Sequence, residues 1–128
     1  MGKTRILVVD DSTTNVVLLE AILSEQGYEI YSAMSALEAF QILKKNKVDL
    51  ILLDLLMPKV SGFDFLKEVK RNNHLKEIPV IVVSALNDMA NVKKTLAMGA
   101  IDFVQKPIDI QQFVEKVDAI LNKKSIIE

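Results

Sequence analysis

The sequence predicts an α/β domain built on a single parallel sheet wound with helices on both faces, and three observations carry that expectation. Three aliphatic blocks, Ile6–Val9, Leu50–Leu53 and Val80–Val83, are apolar without alternation, as strands covered on both faces are. Strand-like and helix-like patterns alternate five times along the chain, which calls for right-handed crossovers around a parallel sheet. The length of 128 residues suits one domain of ordinary size.

The elements follow in order. After Ile6–Val9, Ser12 or Thr13 can cap a helix carrying Val16, Leu19, Ile22 and Leu23, which Gly27 closes. Glu29–Ala33 mixes polar and apolar positions and is expected as an edge strand. Ser35-Ala36-Leu37-Glu38 has the form of a capping box and opens a second helix with Phe40 and Leu43. Leu50–Leu53 precedes a third helix marked by Phe63, Leu66 and Val69. Val80–Val83 precedes a fourth, marked by Val92 and Leu96 and ending at Gly99. The second edge strand is expected at Ile101–Val104. Asp109 then caps a fifth helix with the cleanest stripe: Ile110, Phe113, Val114, Val117, Ile120 and Leu121. With apolar strands inside and mixed ones outside, the strand order 2-1-3-4-5 fits best, a flavodoxin-like (βα)5 arrangement. Residues 4–122 are expected to form the domain, and 123–128 a tail or the start of a linker.

Composition narrows the function classes. Half the residues are hydrophobic and 26% are charged, which suits a packed core and not a disordered segment. A net charge of −1 gives no electrostatic reason to expect direct nucleic acid binding or attachment to an anionic membrane. With no cysteine, disulfides, thiol catalysis and cysteine-based zinc sites are excluded. The strand pattern begins within five residues, so no signal peptide is expected. No apolar run approaches the ~18 residues of a membrane span. A cytoplasmic location is expected. The four glycines, Gly2, Gly27, Gly62 and Gly99, are too scattered for a dinucleotide fingerprint or a P-loop. Ser84 lies in no G-x-S-x-G elbow.

One stretch, "VDLILLDLLMPKVSG" at 48–62, drives an aliphatic run into a single carboxylate, Asp54. In an open α/β sheet, ligands bind outside the carboxyl ends of the strands. There strand one contributes Asp10-Asp11, strand three Asp54 and strand four Ser84, with Lys106-Pro107 following strand five. Three carboxylates against one ammonium leave about −2 if all four are ionised. Close packing then favours a divalent cation, and an all-oxygen set with open water positions suits Mg²⁺. An ionised carboxylate needs no general base to attack phosphorus, and phosphoryl transfer is catalysed mainly by positioning and charge neutralisation. Plainer readings exist for each residue. Asp10-Asp11 could cap the first helix, Asp54 and Lys106 could be a structural ion pair, and Ser84 could simply end a strand. Pro58 and Gly62 could be plain turn residues. His74, in "RNNHLK", reads as a surface residue, and Lys93-Lys94 and Lys123-Lys124 as solvated faces.

Together, "VVDDS", "LLDLLMPKVSG", "VIVVSA" and "GAIDFVQKPI", in this order and spacing, resemble the receiver domain of two-component response regulators. The resemblance covers residues 4 to 122. It implies that Asp54 accepts phosphate from a histidine of a sensor kinase or phosphotransfer protein. It also implies that Asp11, Asp54 and the Leu56 carbonyl ligate Mg²⁺, with Asp10 acting largely through water. Ser84 and Lys106 match the family's phosphate-binding hydroxyl and lysine, and Phe103 its aromatic switch position. Serine and phenylalanine are the less common choices at those two positions. The Lys106-Pro107 bond is expected to be cis. Leu56 and Leu86, each two residues after a key site residue, are expected to set the lifetime of the phosphorylated state. The expected product is a switch that catalyses only its own phosphorylation and dephosphorylation, as a monomer or a phosphorylation-dependent dimer. Its output would pass to a partner or to a fused output domain. Two alternatives belong to other classes: a metal-dependent aspartyl-phosphate phosphotransferase or phosphatase, and a pseudo-receiver that only binds partners.

Overall fold

Five strands and five helices alternate in this computed structural model, which describes residues 3–57, 59–86 and 88–127, with side chains described as far as Asn122. They are β1 (Arg5–Val9), α1 (Thr13–Glu25), β2 (Glu29–Ala33), α2 (Ala36–Lys45) and β3 (Leu50–Leu53), followed by α3 (Gly62–Arg71), β4 (Val80–Ser84), α4 (Met89–Ala97), β5 (Asp102–Gln105) and α5 (Ile110–Ile127). All strand pairs are parallel and the order is β2-β1-β3-β4-β5. The expected flavodoxin-like fold and strand order are therefore observed.

Side chains alternate across a sheet, so each inner strand feeds two cores. Leu7, Val9, Ile51, Leu53, Val80 and Val82 face one way and pack with Leu43 of α2 and with Phe65, Leu66 and Val69 of α3. Ile6, Val8, Leu50, Leu52, Ile81 and Val83 face the other way and pack with Leu19 and Leu23 of α1 and Phe113 and Val117 of α5. None of these twelve strand residues is more than 2% exposed. That explains why no polar residue interrupts the blocks. Truncating one of their larger side chains to alanine would cost about 2–5 kcal/mol.

Each helix starts on a side-chain cap. The hydroxyls of Ser12, Ser35 and Ser61 accept from the amides of Asn15, Glu38 and Asp64. The carboxylates of Asp88 and Asp109 accept from Asn91 and Gln112. Ser12, not Thr13, caps α1. The capping box at Ser35 is only half formed, because the Glu38 carboxylate takes the Met34 amide at 2.7 Å instead of the Ser35 amide.

Three expectations shift. β5 starts at Asp102, and Ile101 is exposed. Ile110 is also exposed, so the buried stripe of α5 begins at Phe113. On α4 the buried residue is Thr95, whereas Leu96 faces solvent. Threonine can be buried there because its hydroxyl donates to the Val92 carbonyl at 2.9 Å, leaving only its methyl to pack. Lys94 is exposed as expected but also lies over the Phe63 ring, 4.3 Å from its centroid. Pro58 and the side chains of Lys123 and Lys124 lie outside the described residues. Among those described, no helix is long and apolar enough to cross a membrane.

Candidate functional site

Strand register assembles the site. Val9 pairs with Leu53, so Asp10 and Asp54, each one residue further on, leave neighbouring strands side by side. Ser84 pairs with Gln105, which brings Lys106 to the same edge. Backbone bonds extend the ladders to these residues: Asp10 donates to Ala33 at 3.0 Å, Asp54 to Val9 at 2.9 Å and Lys106 to Ser84 at 3.1 Å. These residues are therefore held by the sheet itself.

Asp10, Asp54 and Ser84 are buried, at 2, 7 and 0% exposure, while Asp11 is exposed. Each buried carboxylate divides its two oxygens in the same way. Asp10 Oδ1 accepts the Ser12 amide at 2.9 Å, and its Oδ2 lies 2.9 Å from Lys106 Nζ. Asp54 Oδ1 accepts the Leu56 amide at 3.2 Å, and its Oδ2 lies 3.4 Å from the same Nζ. Ser84 Oγ accepts the Leu86 amide at 3.1 Å. At all three strand ends a side-chain oxygen accepts the amide two residues on, the turn that Asp and Ser form readily. Neither Asp10 nor Asp11 caps α1, since Ser12 does so. The Lys106–Asp54 ion pair exists, but the lysine is shared and sits closer to Asp10.

Asp10, Asp11 and Asp54 each offer a carboxylate oxygen, and these oxygens all lie within 4.8 Å of one another. One ammonium cannot balance three carboxylates at that spacing. Two buried donors and one exposed donor, all oxygen, form a partial shell open on the solvent side. That suits a hard cation which keeps several waters.

The remaining expected residues are distributed around this centre. Leu56 exposes half its side chain and engages the site through its amide. Leu86 and Phe103 are partly buried against the core on the α2–α3 face. The Lys106-Pro107 peptide is cis. His74 is exposed and lines a cleft of about 650 Å³ between α2 and α3. The sequence did not single out the amides of Ser12 and Leu86 as partners, because any residue but proline supplies one. The recurring Asp or Ser at strand ends was the available signal.

Residues 6–118 match the response regulator receiver domain family. The chain belongs to that family. The polar-differentiation response regulator DivK of Brucella anthropi is 30% identical over 116 residues, covering 91% of this chain and 94% of its own length. Response regulator PleD of Caulobacter vibrioides is 37% identical over 97% of this chain, which spans only 27% of PleD. Among solved structures, a two-component response regulator from Clostridium difficile superposes with a TM-score of 0.90 at 27% identity, covering 95% of this chain and 98% of that one. A receiver domain is a phosphorylation-dependent signalling element of two-component systems, so the acidic edge just described lies in a domain of that class.

Proposed function

We propose that Asp54 is the phosphoacceptor and that a phosphohistidine on a sensor kinase or phosphotransfer protein is its donor. One observation carries this reading. A buried carboxylate at the carboxyl edge of the sheet has one oxygen oriented by a backbone amide and the other beside a shared lysine, with two further carboxylates within reach. A carboxylate held in this way, with one oxygen fixed by an amide and the other beside a lysine, is oriented as in-line attack on phosphorus requires. In the transfer, a carboxylate oxygen of Asp54 bonds to phosphorus as the bond to the donor nitrogen breaks, and the freed imidazole takes up a proton.

Asp10, Asp11 and Asp54 would hold Mg²⁺ with the Leu56 carbonyl, and a bound Mg²⁺ would neutralise charge between carboxylates and phosphoryl oxygens. Lys106 would exchange part of its contact with Asp10 and Asp54 for a phosphoryl oxygen. The Ser84 hydroxyl, held by the Leu86 amide, would donate to another. Phe103, half-buried on β5, would repack with Ser84 and alter the surface formed by α4, β5 and α5. The protein acts on itself and turns over no other substrate. The receiver unit is read as residues 4–122, cytoplasmic, and monomeric or dimerising on phosphorylation. It would pass its state to a partner or to a fused output domain.

Amide chemical shifts recorded with Mg²⁺ and beryllofluoride test the switch. The expected result is a new bound set at Asp54, Ser84 and Lys106, spreading to Phe103, α4 and α5, and absent without Mg²⁺. Changes confined to the strand-end loops would refute the coupling, and no binding at all would refute the site.

A further inference from the structure

Gly62 opens α3 and is buried. A Cβ on this residue would lie 2.4 Å from the Asp54 carbonyl oxygen and 2.5 Å from Leu55 Cα. Both are backbone atoms, so no change of rotamer relieves the overlap. Glycine's conformational freedom is not the reason for its presence, since among the described glycines only Gly27 and Gly99 have positive φ. Space is the reason. The Gly62 amide also donates to the Leu55 carbonyl at 3.1 Å, so the start of α3 is seated on the Leu55–Leu56 peptide as well.

A side chain here must displace one of two things. α3 is anchored by Phe65, Leu66 and Val69, all fully buried. On the opposing side Asp54 and Leu55 are buried, but the chain that continues from them is exposed at Leu56, Lys59 and Val60 and has solvent to move into. The Leu55–Leu56 peptide would therefore yield, carrying with it the amide that bonds Asp54 Oδ1 at 3.2 Å, already the long end of hydrogen-bond range. We infer that Gly62 is a positioning residue for phosphoryl transfer, whose missing Cβ lets α3 press the Asp54–Leu55 backbone into the place from which the Leu56 amide orients the acceptor carboxylate. This rests on Asp54 being the phosphoacceptor and adds a determinant outside the acidic set.

The test compares wild type, Gly62→Ala and Val69→Ala, the last removing buried volume from the same helix two turns further along. Two readouts are taken: the phosphorylation rate with acetyl phosphate and Mg²⁺, and the chemical shift and exchange protection of the Leu56 amide without ligand. Gly62→Ala is expected to slow phosphorylation about tenfold or more and to expose the Leu56 amide, with Val69→Ala within about twofold of wild type. A Gly62→Ala protein that reacts as fast as wild type overturns the inference, as does equal slowing in both variants. If Gly62→Ala does not fold, one glycine inserted between Val60 and Ser61 releases the same seat within an exposed loop. It should slow the reaction too, and wild-type speed there also overturns the inference. A wild type that takes no phosphate on Asp54 defeats the phosphoacceptor reading and this inference together.

Discussion

Lys106 holds two buried carboxylates at once, at 2.9 and 3.4 Å, and its removal leaves them facing each other and Asp11 without a counter-charge. Breaking a buried pair from one side costs about 3–5 kcal/mol. Lys106→Met should therefore lower the free energy of urea unfolding by about that amount without divalent ions, and Mg²⁺ should recover more stability in the variant than in wild type. An unchanged unfolding curve would mean that the carboxylates do not depend on the lysine. Leu56 and Leu86 are proposed to set the lifetime of the phosphorylated state. They follow Asp54 and Ser84 by two, and neither side chain can hydrogen-bond a water in line behind phosphorus. One missing water-orienting contact corresponds to about 1.4 kcal/mol of barrier, or about tenfold in rate. The phosphoprotein should accordingly decay about tenfold faster in Leu56→Asn with Leu86→Glu, read as loss of phosphate over time in Mg²⁺. Equal decay would show that these positions do not set the lifetime. At this scale the legible part was side-chain chemistry: Asp10, Asp11, Asp54, Ser84 and Lys106 announce themselves by type and place. The backbone donors of Ser12, Leu56 and Leu86 do not, and neither does the space that Gly62 leaves.

Among the helices, α4 is held least by its own burial, with Thr95 its buried residue and Leu96 and Met89 open to solvent. Its start depends on Asp88, which accepts from both the side chain and the backbone of Asn91. The side-chain bond from Asn91 holds the Asp88 carboxyl below its ordinary value of 3.8, with burial opposing only in part. A depressed folded-state value means that the cap contributes above the ordinary value and is lost as pH falls through the lower one. The amides of Asn91 and Val92 should therefore lose exchange protection in acid, and Asp88→Asn should remove that pH dependence. Protection that stays constant through this range would exclude Asp88 as the cap that titrates. The inner strands were legible because a strand covered on both faces tolerates no polar residue. α4 was legible only in part, because a spacing of four from Val92 selects Leu96, whereas burial falls on Thr95 three residues along. Sequence spacing alone does not fix the rotation of a weakly amphipathic helix.

In the whole molecule, two cores clamp one sheet, and the sheet in turn fixes the acidic edge. The order β2-β1-β3-β4-β5 sets β1 beside β3, which is why Asp10 and Asp54 meet although 44 positions separate them (54 − 10). That juxtaposition follows from topology, and the topology was readable from which strands were wholly apolar. Phosphoryl acceptance at Asp54 is tested most directly by intact mass and site mapping after incubation with acetyl phosphate, with and without Mg²⁺. Wild type should gain the mass of one phosphate on Asp54 only when Mg²⁺ is present, and Asp54→Asn should gain none. Phosphate found mainly on a serine or on His74, or uptake undiminished in Asp54→Asn, would contradict it.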